Sequence, residues 1–284
     1  MMEALLHWIC SPWGLAILGL NVGSFLNVVI LRLPVMLERQ WGLVHSDADT
    51  LADTDAVADL SLLHPPSHCP ACGHTLRWWE LVPLLSWLVL RGRCSACATR
   101  IPLRYPLLEI GTAALFVLMG QVHGHSPLAL LWSAWSAALL ALAVIDWDTT
   151  LLPDVITQPL LWAGLIAAAL GWTISLNSAL WGAAAGYLSL WAVNAAFKLI
   201  AKQDGMGAGD FKLLAALGAW LGWSMLLPIL LLSSMVGAAV GVAMKWRGEL
   251  REGRYIPYGP FLILAAGVVV ALGPPTVMAW LGWN

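Results

Sequence analysis

Apolar windows recur along nearly the whole chain, each long enough to cross ~30 Å of hydrocarbon as a helix of about 20 residues. Eight are readable, at about 12–31, 106–122, 127–145, 155–174, 178–197, 208–224, 225–244 and 260–281. The sixth and seventh meet so tightly near Trp223–Pro228 that the count could change by a pair. The pattern predicts an all-α polytopic membrane protein of about eight transmembrane helices. Residues 33–104 are the one long polar stretch. The predicted organisation is a first transmembrane helix in 1–31, a cytoplasmic region in 32–104, and a seven-helix membrane domain in 105–284.

Composition agrees. The 284 residues are 60% hydrophobic and 11% charged, with a mean hydropathy of +0.79, whereas soluble domains carry about 25% charge. A net charge of −2 gives no foothold for nucleic acid. All fourteen Lys and Arg fall after odd-numbered windows. Arg32, Arg39, Arg77, Arg91, Arg93, Arg100 and Arg104 follow the first, Lys198, Lys202 and Lys212 border the gap after the fifth, and Lys245, Arg247, Arg251 and Arg254 follow the seventh. Cations are retained on the cytoplasmic side. Residues 32–104 are therefore expected in the cytoplasm, with both termini on the other side. The first window lacks a basic leading region and runs into "RLP", so it is expected to stay as an anchor.

The polar stretch divides in two. "HSDADTLADTDAVADL" holds five Asp and no cation, the composition of a solvated loop. Beyond it, Cys69-x-x-Cys72 and Cys94-x-x-Cys97 form two CxxC knuckles 21 residues apart, just outside a zinc-ribbon gap of about 15–20. Four thiolates from two tight turns close a tetrahedral metal site with no open position, a structural arrangement and not a hydrolytic one. The alternative is two disulfides or four free thiols, and a cytoplasmic setting disfavours the disulfides. His68 and His74 adjoin the first knuckle as further ligands or as solvated side chains. Cys10 stands alone as an apolar filler. The segment between the knuckles, "WWELVPLLSWLVL", is too apolar for a free loop and too short to span, so it is expected to lie against the membrane or on the spans.

Carboxylates at the membrane edge are costly and mark function. The third window ends in "ALAVIDWDTTLLPD", with Asp146, Asp148 and Asp154, and the sixth opens with "GMGAGDFKLL", with Asp210. Parity puts both groups at one depth on the cytoplasmic side, although they are 64 residues apart. Asp210 also suits a helix cap. Paired with a second Asp it suits hydrolysis, one carboxylate taking a proton from water while the other protonates a carbonyl. Gly205, Gly207 and Gly209 would let an extended peptide come close. Neither HExxH nor GxSxG occurs.

"GLNVGSFLNVVILRLP", the paired knuckles, "LRGRCSACATRIPLRYPLLE", "IDWDTTLLPD" and "GMGAGDFKLLAALGAWLG" together resemble the bifunctional type 4 prepilin peptidases, in order over nearly the entire chain. The resemblance implies a GxGD-type aspartyl protease of the bacterial cytoplasmic (inner) membrane. It would cut the basic leader from type IV prepilins or type II secretion pseudopilins after a glycine. N-methylation of the new terminus by S-adenosylmethionine would follow. Carried over, the catalytic pair is Asp146 and Asp210, Asp148 and Asp154 are supporting residues with Asp154 capping the fourth span, and Cys69, Cys72, Cys94 and Cys97 hold zinc. Glu80, Arg91 and Gly92 are the candidates for the methyl-donor site. Two rivals explain less. A proton- or ion-coupled transporter would also pair carboxylates, but has no evident use for the knuckles and shows no inverted repeat. A zinc-stabilised membrane scaffold leaves the Asp pair unexplained.

Overall fold

The computed structural model describes residues 2–42, 60–203, 205–248, 256–280 and 282. The acidic stretch expected as a solvated loop lies almost wholly outside the described residues. Among those that are described the architecture is all-helical, without a β-strand. The helices are α1 (Met2–Ile9), α2 (Pro12–Gln40), α3 (Leu85–Val89), α4 (Arg104–His123), α5 (Pro127–Thr149), α6 (Asp154–Ala169), α7 (Leu176–Ala201), α8 (Ala208–Leu221), α9 (Leu226–Trp246), α10 (Gly259–Leu272) and α11 (Pro274–Trp280).

Five described helices are long and apolar enough to cross a membrane: α2, α4, α5, α7, and α9 with its 3₁₀ start at Trp223. A sixth is reached if α10 and α11, bent by 105°, form one broken span. The expected eight are not all found. The windows at 155–174 and 208–224 fold into helices of only 16 and 14 residues. Gly171 and Gly222, at φ +71° and +85°, follow these helices in the left-handed region that stops a helix. The first span runs longer than its window, through Pro34 to Gln40.

The chain divides into two compact units, 1–137 and 138–284. In the first, α2 crosses α4 at Gly19 and Gly23. A Cβ on Gly19 would lie 2.6 Å from Ala113 Cα, and one on Gly23 would lie 2.7 Å from Glu109 Cα. Small residues four apart bring two backbones together where the surroundings are as apolar as the side chains. Asn27 Nδ2 donates to the Tyr105 carbonyl at 3.3 Å across this crossing. Arg32 ties the following segment to α2 by donating to the carbonyls of Ser61 and Pro65, at 3.0 and 2.7 Å. The Leu84 amide donates to Glu109 Oε2 at 2.7 Å, so the segment between the knuckles is fastened to α4. Its Trp78, Leu85, Leu88 and Val89 stay exposed.

In the second unit α8 is the central helix. Every residue from Phe211 to Leu221 is buried except Lys212. It packs against α7 through facing glycines, Gly182 and Gly186 on α7 and Gly218 on α8. Against α6, Trp220 fits beside Gly164 and donates its Nε1–H to the Leu160 carbonyl at 2.8 Å. The outer face of α7 carries exposed Leu180, Trp181, Leu188, Trp191 and Leu199, the composition of a surface made for lipid.

Candidate aspartate pair and cysteine cluster

Asp146 lies in the last turn of α5, which continues past its 127–145 window to Thr149. Asp210 lies in the first turn of α8. Both are buried, at 4% and 9% exposure, and Leu152 links them, lying against Gly209 beside Asp210 and against the Cβ position of Gly259, which itself faces Asp146. The two residues that the sequence puts at one depth are thus neighbours. Asp146 Oδ2 and Asp210 Oδ1 are buried with no hydrogen-bond partner. Buried polar atoms are normally paired, so two unpaired carboxylate oxygens in one place mark a site set up for something else to bind.

Asp210 is not a cap. Gly207 holds the N-cap position of α8, and no side chain caps the helix. Nor does Asp154 cap α6, since Pro153 occupies that position. Both Asp154 oxygens accept from Lys212 Nζ, at 2.8 and 2.7 Å, in a pair that joins the starts of α6 and α8. Asp148 is exposed.

The glycines before Asp210 differ in purpose. None of the three has a positive φ. Gly205 lies against the Phe197 ring and Gly209 against Leu152, whereas a Cβ on Gly207 would meet nothing within 4 Å. The loop is held by a residue that sequence reasoning passed over. Asn194 Oδ1 accepts from the amides of Gly205 and Met206 at 2.9 and 3.1 Å. Its only signal was an amide side chain near the end of an apolar run. Gly259, against Asp146, was also passed over.

In the first unit, Cys69, Cys72, Cys94 and Cys97 converge, with all four Sγ atoms within 4.8 Å of one another. Both knuckles make the same turn. Cys69 N donates to the His74 carbonyl and Gly73 N to the Cys69 carbonyl, each at 2.9 Å. Cys94 N donates to the Thr99 carbonyl and Ala98 N to the Cys94 carbonyl, at 2.9 and 3.0 Å. Gly73 and Ala98 occupy the same position, both with positive φ, at +72° and +58°. Cys69–Cys97 and Cys72–Cys94 have Sγ separations of 3.8 and 4.0 Å. Zn–S bonds of about 2.3 Å in a tetrahedron need sulfur atoms about 3.8 Å apart, so the four cysteines fit zinc. Cys72, bonded by the backbone at His74 but sharing its proton with Cys97, is pushed up to about 12. Hydrogen bonding to Thr99 draws Cys97 down to about 6. His74 is not among the clustered ligands. Its Nε2 lies 3.2 Å from Glu80 Oε2 and 3.3 Å from Ser95 Oγ.

Glu80 is buried. Its Oε2 accepts from the Arg77 amide at 2.7 Å, and that backbone bond, with Ser95 and His74, holds the carboxyl below its usual range. Its Oε1 is buried and without a partner. Arg91 is exposed at φ +52°. Gly92, at φ +66°, has the Trp87 ring 2.7 Å from where a Cβ would sit.

A buried carboxylate pair among membrane-length helices in one unit and a four-thiol cluster in the other define a membrane-protein class that comparison with known proteins names. The bacterial peptidase A24 N-terminal domain matches residues 17–122, and the Type IV leader peptidase family matches residues 133–242. A prepilin leader peptidase/N-methyltransferase of Burkholderia pseudomallei is 47% identical over 261 residues, covering 91% of this chain and 84% of the relative. Enzymes of that name from Pseudomonas putida and Aeromonas hydrophila are 50% and 48% identical over 258 and 259 residues. Each match covers 90% of this chain, with 89% and 88% of the relative. The chain belongs to the Type IV leader peptidase family. No solved structure matches it significantly.

Proposed function

We propose that this chain cleaves the leader from type IV prepilins or type II secretion pseudopilins and then N-methylates the new terminus, the two activities its relatives' names carry. The observation that supports the first activity is the buried pair Asp146 and Asp210, each with an oxygen free to bind. Two carboxylates in one buried place cannot both ionise freely, so they share a proton. The ionised member takes a proton from water. The protonated member gives its own to the scissile carbonyl oxygen as the water oxygen bonds to the carbonyl carbon. Collapse of the tetrahedral intermediate breaks the C–N bond, and the departing nitrogen receives a proton from the pair. No covalent intermediate is needed. A transporter gains no support from the family or from the cysteine cluster.

The polar region is proposed to carry the second activity and to face the cytoplasm of an inner-membrane protein, with 1–31 as anchor, 32–104 as the zinc and methylation region, and 105–284 as the protease domain. Zinc held by Cys69, Cys72, Cys94 and Cys97 would brace the region. S-adenosylmethionine, when bound, supplies an electrophilic methyl group. A carboxylate such as that of Glu80 would suit its hydroxyl groups and a guanidinium such as that of Arg91 its carboxylate, with Gly92 in the positive-φ turn that begins at Arg91.

The test is cleavage of a leader-bearing pilin precursor by purified protein in detergent. Asp146→Asn and Asp210→Asn should each abolish cleavage with the protein still folded, and Asp146→Asn should still methylate a pre-cleaved peptide. Asp148→Asn and Asp154→Asn should keep substantial activity. An active Asp146→Asn beside a dead Asp148→Asn would sink the assignment within "IDWD".

A further inference from the structure

Residues 256–262, "IPYGPFL", belong to none of the motifs legible in the sequence, yet they reach Asp146. Gly259 is buried and begins α10. A Cβ at Gly259 would sit 2.6 Å from Asp146 Oδ2 and 3.3 Å from its carboxyl carbon. The residues on either side are fixed. Tyr258 Oη is 2.7 Å from Ser233 Oγ and 3.2 Å from Ser234 Oγ, both on α9. Phe261 is buried and stacks edge-on to Trp147, the residue after Asp146, with ring centroids 6.5 Å apart. The backbone at Gly259 is therefore pinned from both sides and cannot retreat from a side chain placed there. Leu152 completes the arrangement, lying against Gly209 beside Asp210 and against the Cβ position of Gly259.

We infer that Gly259 is a positioning residue for cleavage: the start of α10 presses bare backbone against Asp146 and sets where its carboxylate stands relative to Asp210. The residue has to be glycine for lack of room, since its φ is not positive. An added methyl group would drive the Asp146 carboxylate off its place, because the side chain is the softer of the two partners. This rests on the reading of Asp146 as one of the hydrolytic pair.

Full-length protein in detergent tests it. Gly259→Ala should lower kcat for a leader-bearing pilin precursor about 100-fold, the cost of about 1 Å of misplacement, and leave KM within about twofold. Gly267→Ala, on the same helix where a Cβ meets nothing within 4 Å, should leave both unchanged. A thermal series keeps the proposal open to refutation even where Gly259→Ala folds poorly. The loss of Tm caused by Gly259→Ala should appear with Asp146 present and vanish in an Asp146→Ala background, where the methyl has room. Adding Leu152→Ala to Gly259→Ala should restore neither kcat nor Tm. A Gly259→Ala kcat within about threefold of the parent, an equal Tm loss in both backgrounds, or rescue by Leu152→Ala would each overturn the inference. Cleavage by Asp146→Asn would instead defeat the reading of the pair, and the Tm coupling would still decide the contact.

Discussion

Gly186→Ala probes whether the α7–α8 crossing holds Asp210 in place. Gly186 meets α8 one turn beyond Asp210. A Cβ there would lie 2.6 Å from the Leu214 carbonyl oxygen, 2.9 Å from its carbon and 3.0 Å from Ala215 N. All three are backbone atoms, so no side chain can turn aside. Ordinary contact begins at 3.4 Å, and the helices must part by about 0.8 Å. Overpacking of this kind costs about 1–3 kcal/mol of stability. The catalytic cost is proportionately larger. Since α8 is also held by α6 through Trp220 and Leu160, the strain shifts the helix along its length and takes Asp210 with it. Catalytic groups tolerate about 0.5 Å, and about 1 Å costs about 100-fold, so a 10- to 100-fold fall in kcat is expected. Cleavage kinetics beside thermal unfolding in detergent measure both. Gly111→Ala serves as control, because its Cβ meets nothing within 4 Å, and replacing Gly in a helix should stabilise by roughly 0.5–1 kcal/mol. A Gly186→Ala enzyme that cleaves within about threefold of the parent rate would refute the claim that this crossing sets the position of Asp210.

The cysteine cluster yields two further outcomes. Ala98 holds the left-handed position that Gly73 fills in the other knuckle, so Ala98→Gly should stabilise the region by up to about 1 kcal/mol; protection against a chelator or a thiol reagent would report it, and faster attack would contradict it. Cys69→Ser and Cys94→Ser should each lower the zinc content from about one ion per chain. Because the ligands bind as thiolates, metal should leave the intact protein as the pH falls. Elemental analysis of fresh protein with intact thiols and no metal would count against zinc.

The parts of the molecule that were legible in the sequence are those whose signal is local or whose cost is high. The knuckles are short turns, and four cysteines in two CxxC pairs announce convergence wherever the chain between them goes. Asp146 and Asp210 stood out because a carboxylate beside an apolar run is expensive, and the placement of cations gave both the same side. Each hydropathy window holds a helix, but windows add up residues and cannot see helix ends, so among the described residues eight full spans are not confirmed. The window at 155–174 contains the stop at Gly171, and that at 208–224 the stop at Gly222. Asp154 read as a cap because its ion partner, Lys212, is 58 residues away. Gly259 and Asn194 were invisible for a related reason. Each works through its fit to a neighbour that only the folded chain supplies.

The brevity of α8 has a consequence for what lies beyond its ends. Fourteen residues give a helix of about 21 Å, against ~30 Å for the hydrocarbon core. Because α8 is enclosed by its neighbours, the shortfall opens onto protein and not onto lipid, the setting in which non-helical backbone is tolerated at membrane depth. Its polar end carries Asp210, so the shortfall falls where the proposed cleavage would open a peptide bond. A substrate arriving as a membrane helix has every backbone group bonded within itself and loses those bonds at a heavy cost in dry hydrocarbon. Beside a helix that ends short of the hydrocarbon depth, an unwound stretch would meet polar groups of the protein in place of lipid.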